Sequence, residues 1–232
     1  DPKIQLGALR GTGTGPHDRW NQTVIAALKN EAAFICVHTY FIGNDEDSGK
    51  VPSEALMRAC MASADQGDQL LSDYGRVVRE NAGRDIPIAV TEYNASFSHT
   101  KPLPYAAALF NADYIRVLLN PRHHVLMANY WRYGWAWGFI QGPPEQTQLE
   151  GREKAWGKMA SYYLYRLWKQ HFGTDLLDSR VSSPKLEFDG LMQTRPRRKA
   201  PRRGLIESPV AVCVSGSSGA KARWQANQQL TL

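Results

Sequence analysis

Four short apolar runs punctuate the first 131 positions: KIQLGAL at 3 to 9, FICVHTY at 34 to 40, IPIAVTEY at 86 to 93 and VLMANYW at 125 to 131. Over most of their length they lack polar/apolar alternation, the pattern of strands covered on both faces, as in parallel sheets. Between them the period lengthens to that of helices. HDRWNQTVIAALKN places Trp20, Val24, Ala27 and Leu28 on one face. From Ser53 one or two helices run to Gly83, with Leu56, Cys60, Leu70, Leu71, Tyr74 and Val78 in phase. YAAALFNADYIRVLLN stops at Pro121, and EKAWGKMASYYLYRLWKQHFG stops at Gly173, a residue suited to a helix C-terminus.

Strand followed by helix, repeated at this spacing, predicts right-handed crossovers and a parallel sheet. The expected fold class is α/β of the (β/α)8 type, represented by its last four units, because a whole barrel takes ~250 residues. Half a barrel has two open sheet edges and an uncovered interior. Both require a partner, either an N-terminal half or a separate chain. Residues 1–173 are assigned to this partial barrel and 174–232 to a C-terminal segment. In that segment DLLDSRVSSPKLEF reads as a connection and a strand opening a β-rich module. QTRPRRKAPRRG and VSGSSGAKARWQANQQL show neither period and read as a solvated basic tail.

Composition narrows the function classes. Of 232 residues 43% are hydrophobic, enough for a sizeable core. The net charge of +6 is uneven: from Gly190 onward eight basic residues face Glu207 alone, so the tail carries +7 and the first 189 residues −1. Polyanion binding would therefore belong to RPRRKAPRR, and nucleic acid is not the expected partner of the globular part. Cys36, Cys60 and Cys213 show no CxxC spacing, so neither a disulfide framework nor a zinc site is suggested. No apolar run approaches membrane-spanning length, and a soluble chain is expected. The start at Asp1-Pro2 fits a processed product or a fragment. LRGTGTGPHDRW lies between a strand and a helix but lacks the GK[ST] ending and the GxGxxG pattern, and reads as a rim loop rather than a phosphate cradle. No cofactor and no metal is implied.

In (β/α) barrels the reacting groups lie where strands end, at their C-terminal side. That filter leaves His38 and Tyr40 on the second strand, Glu92, Tyr93 and Asn94 on the third, and Asn129, Tyr130 and Trp131 on the fourth. Aromatics, amides, one imidazole and one carboxylate at one rim suit a sugar, whose ring stacks on aromatic faces while its hydroxyls bond the polar groups. Glu92 taken alone reads equally well as a structural carboxylate that caps a backbone amide or pairs with Arg10 or Arg132.

The ordered series VHTY, TEYN and ANYW resembles the last strands of the barrel in clan A retaining glycoside hydrolases. It is most similar to glycoside hydrolase family 51, the α-L-arabinofuranosidases and some endoglucanases. In that family a VHxY strand precedes the strand of the glutamate nucleophile, a MAN strand follows, and a stretch like YYLYRLWKQHFGTDLLDSRVSSP leads into a β-sandwich. The likeness covers roughly residues 1–188. It implies a retaining double displacement with Glu92 as nucleophile, Tyr40 bonding its carboxylate, and His38 lining the same wall. Trp131, with Trp135 and Trp137 as rivals, would be the stacking floor, and Asn94 and Asn129 would join the substrate-binding set. The expected partner is an oligo- or polysaccharide.

The resemblance also implies an acid/base carboxyl in an Asn-Glu pair at the end of the fourth barrel strand, and this chain starts at the fifth. Its one Asn-Glu dipeptide, Asn30-Glu31, falls ahead of a strand, at the wrong pole. GNDEDSG, with Asp45, Glu46 and Asp47, is the acidic cluster nearest the rim and reads as a solvated turn, a substitute acid or a cation loop. The leading activity is α-L-arabinofuranosidase. The alternatives are an endoglucanase or xylanase of the same clan and a carbohydrate-binding fragment without the acid.

Overall fold

The computed structural model describes residues 4–10, 16, 18–41, 52–95, 104–134, 138–141, 157–176, 185–188 and 224–227. Asp45, Glu46, Asp47, Trp135, Trp137 and the basic run RPRRKAPRR lie outside the described residues.

Strands β1 (Gly7–Leu9), β2 (Phe34–Phe41), β3 (Ile88–Ala95) and β4 (Val125–Tyr130) form one parallel sheet in sequence order. Helices α1 (Arg19–Ala27), α2 (Ser53–Ala82) and α3 (Pro104–Leu118) connect them, and α4 (Ala160–His171) follows β4. Local chemistry sets the helix ends. Asp18 caps α1 by accepting from the Trp20 N–H at 2.7 Å. The stretch from Ser53 is one helix of 30 residues, and it stops at Gly83, whose φ of 71° only glycine adopts without strain. Helix α4 starts later than its periodicity suggests, because Gly157–Lys158 forms a short strand, β6, antiparallel to β5 (Ile140–Gln141). It ends at an extended Phe172 rather than on Gly173.

The helices cover one face of the sheet. Along β2 the side chains of Ile35, Val37, Thr39 and Phe41 are buried, while those of Phe34, Cys36, His38 and Tyr40 alternate with them and stay half-open. The expectation of strands covered on both faces therefore holds at the start of β3, where Ile88, Ala89 and Val90 are all buried, and on the helix side only along β2. Ile4, Leu6 and Leu9 beside β1, and Leu126 and Met127 on β4, are exposed at the two outer edges.

Helix α3 is buried almost all round because it sits against α2, α4 and the sheet. Its Tyr114 is fully buried, meets Phe41, Phe110 and Tyr93 ring to ring, and donates to Thr39 Oγ1 at 3.0 Å. Gly67 of α2 faces that ring so closely that a Cβ would lie 2.2 Å from it, so glycine is what lets the two helices approach. On α1 the buried residues are Asn21 and Ile25, with Val24 and Leu28 half-buried, whereas Trp20 is 59% exposed. The face expected from Trp20 and Ala27 is turned, because hydrophobicity alone does not register a buried asparagine.

In the C-terminal segment β7 (Lys185–Phe188) pairs antiparallel with β8 (Trp224–Asn227). The second of these strands falls inside the stretch read from sequence as tail.

Candidate active site

The aim of Glu92 depends on one extra residue in β3. Side chains alternate along a strand, so Ile88 and Val90, both buried on the helix side, would carry Glu92 to that side as well. The register shows otherwise. Val37 pairs with Val90 but His38 pairs with Glu92, so Thr91 is an insertion relative to β2. On the other flank Val90 pairs with Ala128 and Tyr93 with Tyr130, three steps on β3 against two on β4. Both neighbours thus mark a β-bulge at the same place, and a bulge reverses the parity of everything after it. Glu92 joins His38 on the uncovered face, and Tyr93 turns to the helices, where it meets Tyr114 and bonds the Tyr165 hydroxyl of α4.

On the uncovered face the geometry around the carboxylate is compact. The Tyr40 hydroxyl donates to Glu92 Oε2 at 2.6 Å, and His38 Nδ1 lies 3.3 Å from the same oxygen. The side chains of His38 and Glu92 are 27% and 26% exposed, so the group is shielded yet open to a ligand. The arginines considered as structural partners are placed differently. Arg10 bonds the Tyr74 hydroxyl and, at 3.2 Å, the backbone carbonyl of His38, tying β1 to β2 behind the site. Burial draws the Arg132 guanidinium below its ordinary pKa, against an opposing pull from Tyr40.

The same register places Met127, Asn129 and Trp131 of the β4 edge on the uncovered side, and all three are exposed, Trp131 at 40%. Asn94 does not join them. It is fully buried, donates to the Trp131 carbonyl at 2.5 Å and accepts from Asn111 of α3 at 3.2 Å. In this arrangement it braces the rim and presents no free amide to a substrate. The Trp131 N–H in turn donates to the Tyr93 carbonyl at 3.0 Å. Behind the brace, burial raises the Tyr130 phenol, outweighing its hydrogen bonds with Ser161 and Asn94, and pushes Tyr93 up to about 12. Both therefore stay protonated at neutral pH.

Glu92 is the only acidic residue in the four parallel strands. Glu31 precedes the start of β2 and lies at the opposite pole, as its position in the sequence predicts. Among the described residues no group of three or more metal-ligating side chains occurs. Sequence reasoning missed the bulge at Thr91, the Asn94–Asn111 brace and Tyr133, which is 72% exposed two residues beyond Trp131. Of these only Tyr133 left a signal, as part of an aromatic-rich run.

No family model and no curated protein matches this chain. Solved structures do. An α-L-arabinofuranosidase from Thermotoga maritima, in complex with arabinose, is 20% identical and matches over 83% of this chain and 36% of its own, with a TM-score of 0.54. A family 51 α-L-arabinofuranosidase from Bifidobacterium longum is 15% identical over 80% of this chain and 41% of its own, with a TM-score of 0.59. The GH51 α-L-arabinofuranosidase of Thermotoga petrophila RKU-1 gives 22%, 83%, 37% and 0.52 in the same order. At such identities the likeness is one of fold: the parallel sheet corresponds to part of a (β/α) barrel of the glycosidase kind. This chain spans 36% to 41% of those three proteins' lengths.

Proposed function

We propose that this chain supplies the nucleophile half of a retaining glycoside hydrolase acting on α-L-arabinofuranosyl linkages, with Glu92 as the attacking carboxylate. The observation that carries the reading is the Tyr40–Glu92 hydrogen bond of 2.6 Å on the uncovered sheet face. A hydroxyl donating to one carboxylate oxygen fixes the group's rotation, while the other oxygen is left to react. Glu92 attacks the anomeric carbon, the bond to the leaving oxygen breaks, and a glycosyl ester remains on Glu92. Water then cleaves the ester. Trp131 provides the apolar face on which the sugar ring rests, and Asn129 reaches its hydroxyls.

A retaining mechanism needs a second carboxyl about 5–5.5 Å from the first. Since the four parallel strands hold no other acid, the reading assigns that group to the half that closes the barrel. An aryl glycoside whose leaving group departs without protonation bypasses this requirement in the first step. The chain incubated with 2,4-dinitrophenyl α-L-arabinofuranoside is expected to acquire one pentosyl unit on the peptide holding Glu92, seen by mass spectrometry. Glu92→Gln is expected to stay unlabelled. Hydrolysis or labelling that survives this substitution would remove the central claim. The absence of a second acid from the sheet also favours a sugar-binding fragment without turnover, and binding of arabino-oligosaccharide with no label on Glu92 would select it.

A further inference from the structure

Tyr133 is the feature that the catalytic reading leaves unused. It is 72% exposed, the most exposed of the large hydrophobic side chains among the described residues, and Trp131 two positions earlier is 40% exposed. An aromatic ring so open to water is common on a mobile loop, but this one stands on fixed backbone. Its carbonyl accepts from the Phe139 N–H at 2.8 Å and the Ile140 N–H at 3.1 Å. Gly138 packs so tightly there that a Cβ would come within 2.7 Å of the Tyr133 carbonyl oxygen. Phe139 is itself anchored, stacked on Tyr130 at 4.3 Å and edge-on to Tyr165 at 5.0 Å. The returning segment thus clamps the backbone just after β4, in the stretch that carries the open rings of Trp131 and Tyr133. Rigid aromatic faces bind sugar rings at low conformational cost, because little side-chain freedom is lost.

We infer that Tyr133 is a second stacking platform, for a sugar unit adjacent to the one held at Trp131. The inference rests on the proposed site, since it takes Trp131 as the first platform. Its test does not need turnover. The full chain is run in native gels containing soluble arabinoxylan, next to Tyr133→Ala, Tyr133→Phe and the control Tyr163→Ala, which removes a ring 56% exposed on α4. Wild type is expected to be retarded, Tyr133→Phe and Tyr163→Ala to match it, and Tyr133→Ala to bind roughly tenfold more weakly. Equal retardation of Tyr133→Ala and wild type, or loss shared by Tyr163→Ala, overturns the inference, as does a wild-type chain that the polymer does not retard. Failure of Glu92 to accept a pentosyl unit, with Tyr133-dependent retardation intact, would sink the catalytic reading and leave the platform standing.

Discussion

The interaction that most directly prepares Glu92 is a single hydroxyl. Hydrogen bonds to charged groups contribute about 1.5–3 kcal/mol, which corresponds to roughly 10- to 150-fold in rate if the bond acts fully at the transition state. Tyr40→Phe keeps the ring and removes only the donor. It is expected to slow arabinosylation of Glu92 by an amount within that range, measured from the time course of the labelled peptide, while near-ultraviolet circular dichroism stays native. A change of less than twofold would mean that Tyr40 fills space beside Glu92 and does not orient it. Tyr40, His38 and Glu92 could all be picked from sequence because each stands at the end of an apolar run. Asn94 stands in the same kind of position, yet its amide is spent on Trp131 and Asn111. Burial of one amide is decided by what packs across it, and local sequence does not contain that.

At the level of elements, the bulge at Thr91 determines which side of the sheet carries the carboxylate. Deleting Thr91 removes the inserted residue, so Glu92 follows Val90 directly and stays opposite His38 on the uncovered face with regular alternation. The deletion variant is therefore expected to keep labelling on Glu92, and Thr91→Ala, which keeps the residue count and the bulge, is expected to label at a rate close to wild type. A folded deletion variant that no longer labels on Glu92 would show that the pairing with His38 does not control the aim. The periodic reading of the helices succeeded where one face is plainly apolar, as for the single helix ending at Gly83. It failed on α1, where Asn21 is buried and Trp20 is not. An amphipathic period locates the boundary between a helix and water, but neighbouring elements choose the stripe.

At the scale of the molecule, the parallel sheet among the described residues has one largely open face and two edges, β1 and β4, without a further paired strand. Leu6 and Leu9 line one edge and Leu126 and Met127 the other, at 43% to 64% exposure. Unpaired edges with apolar side chains are templates for association. The isolated chain is expected to show concentration-dependent sedimentation at micromolar levels, and the double variant Leu6→Lys/Leu126→Lys to shift toward monomer. Sedimentation as a monomer at all concentrations in the wild type would show that these edges are not adhesive. This chain matches 36% to 41% of the length of the three solved arabinofuranosidases, consistent with a partial barrel.

Sequence by itself determined the alternation of strands and helices, the parallel order and the presence of one carboxylate among aromatic strand ends. These follow from the local period of apolar residues and from the chirality that makes crossovers right-handed. Tertiary structure alone decided that Glu92 faces away from the helices, that Asn94 is a brace and that Tyr133 is an open ring on a clamped backbone. Each of these depends on residues far apart in the chain meeting in one register. A bulge is defined only against the strands that flank it, so no period within β3 could have announced it.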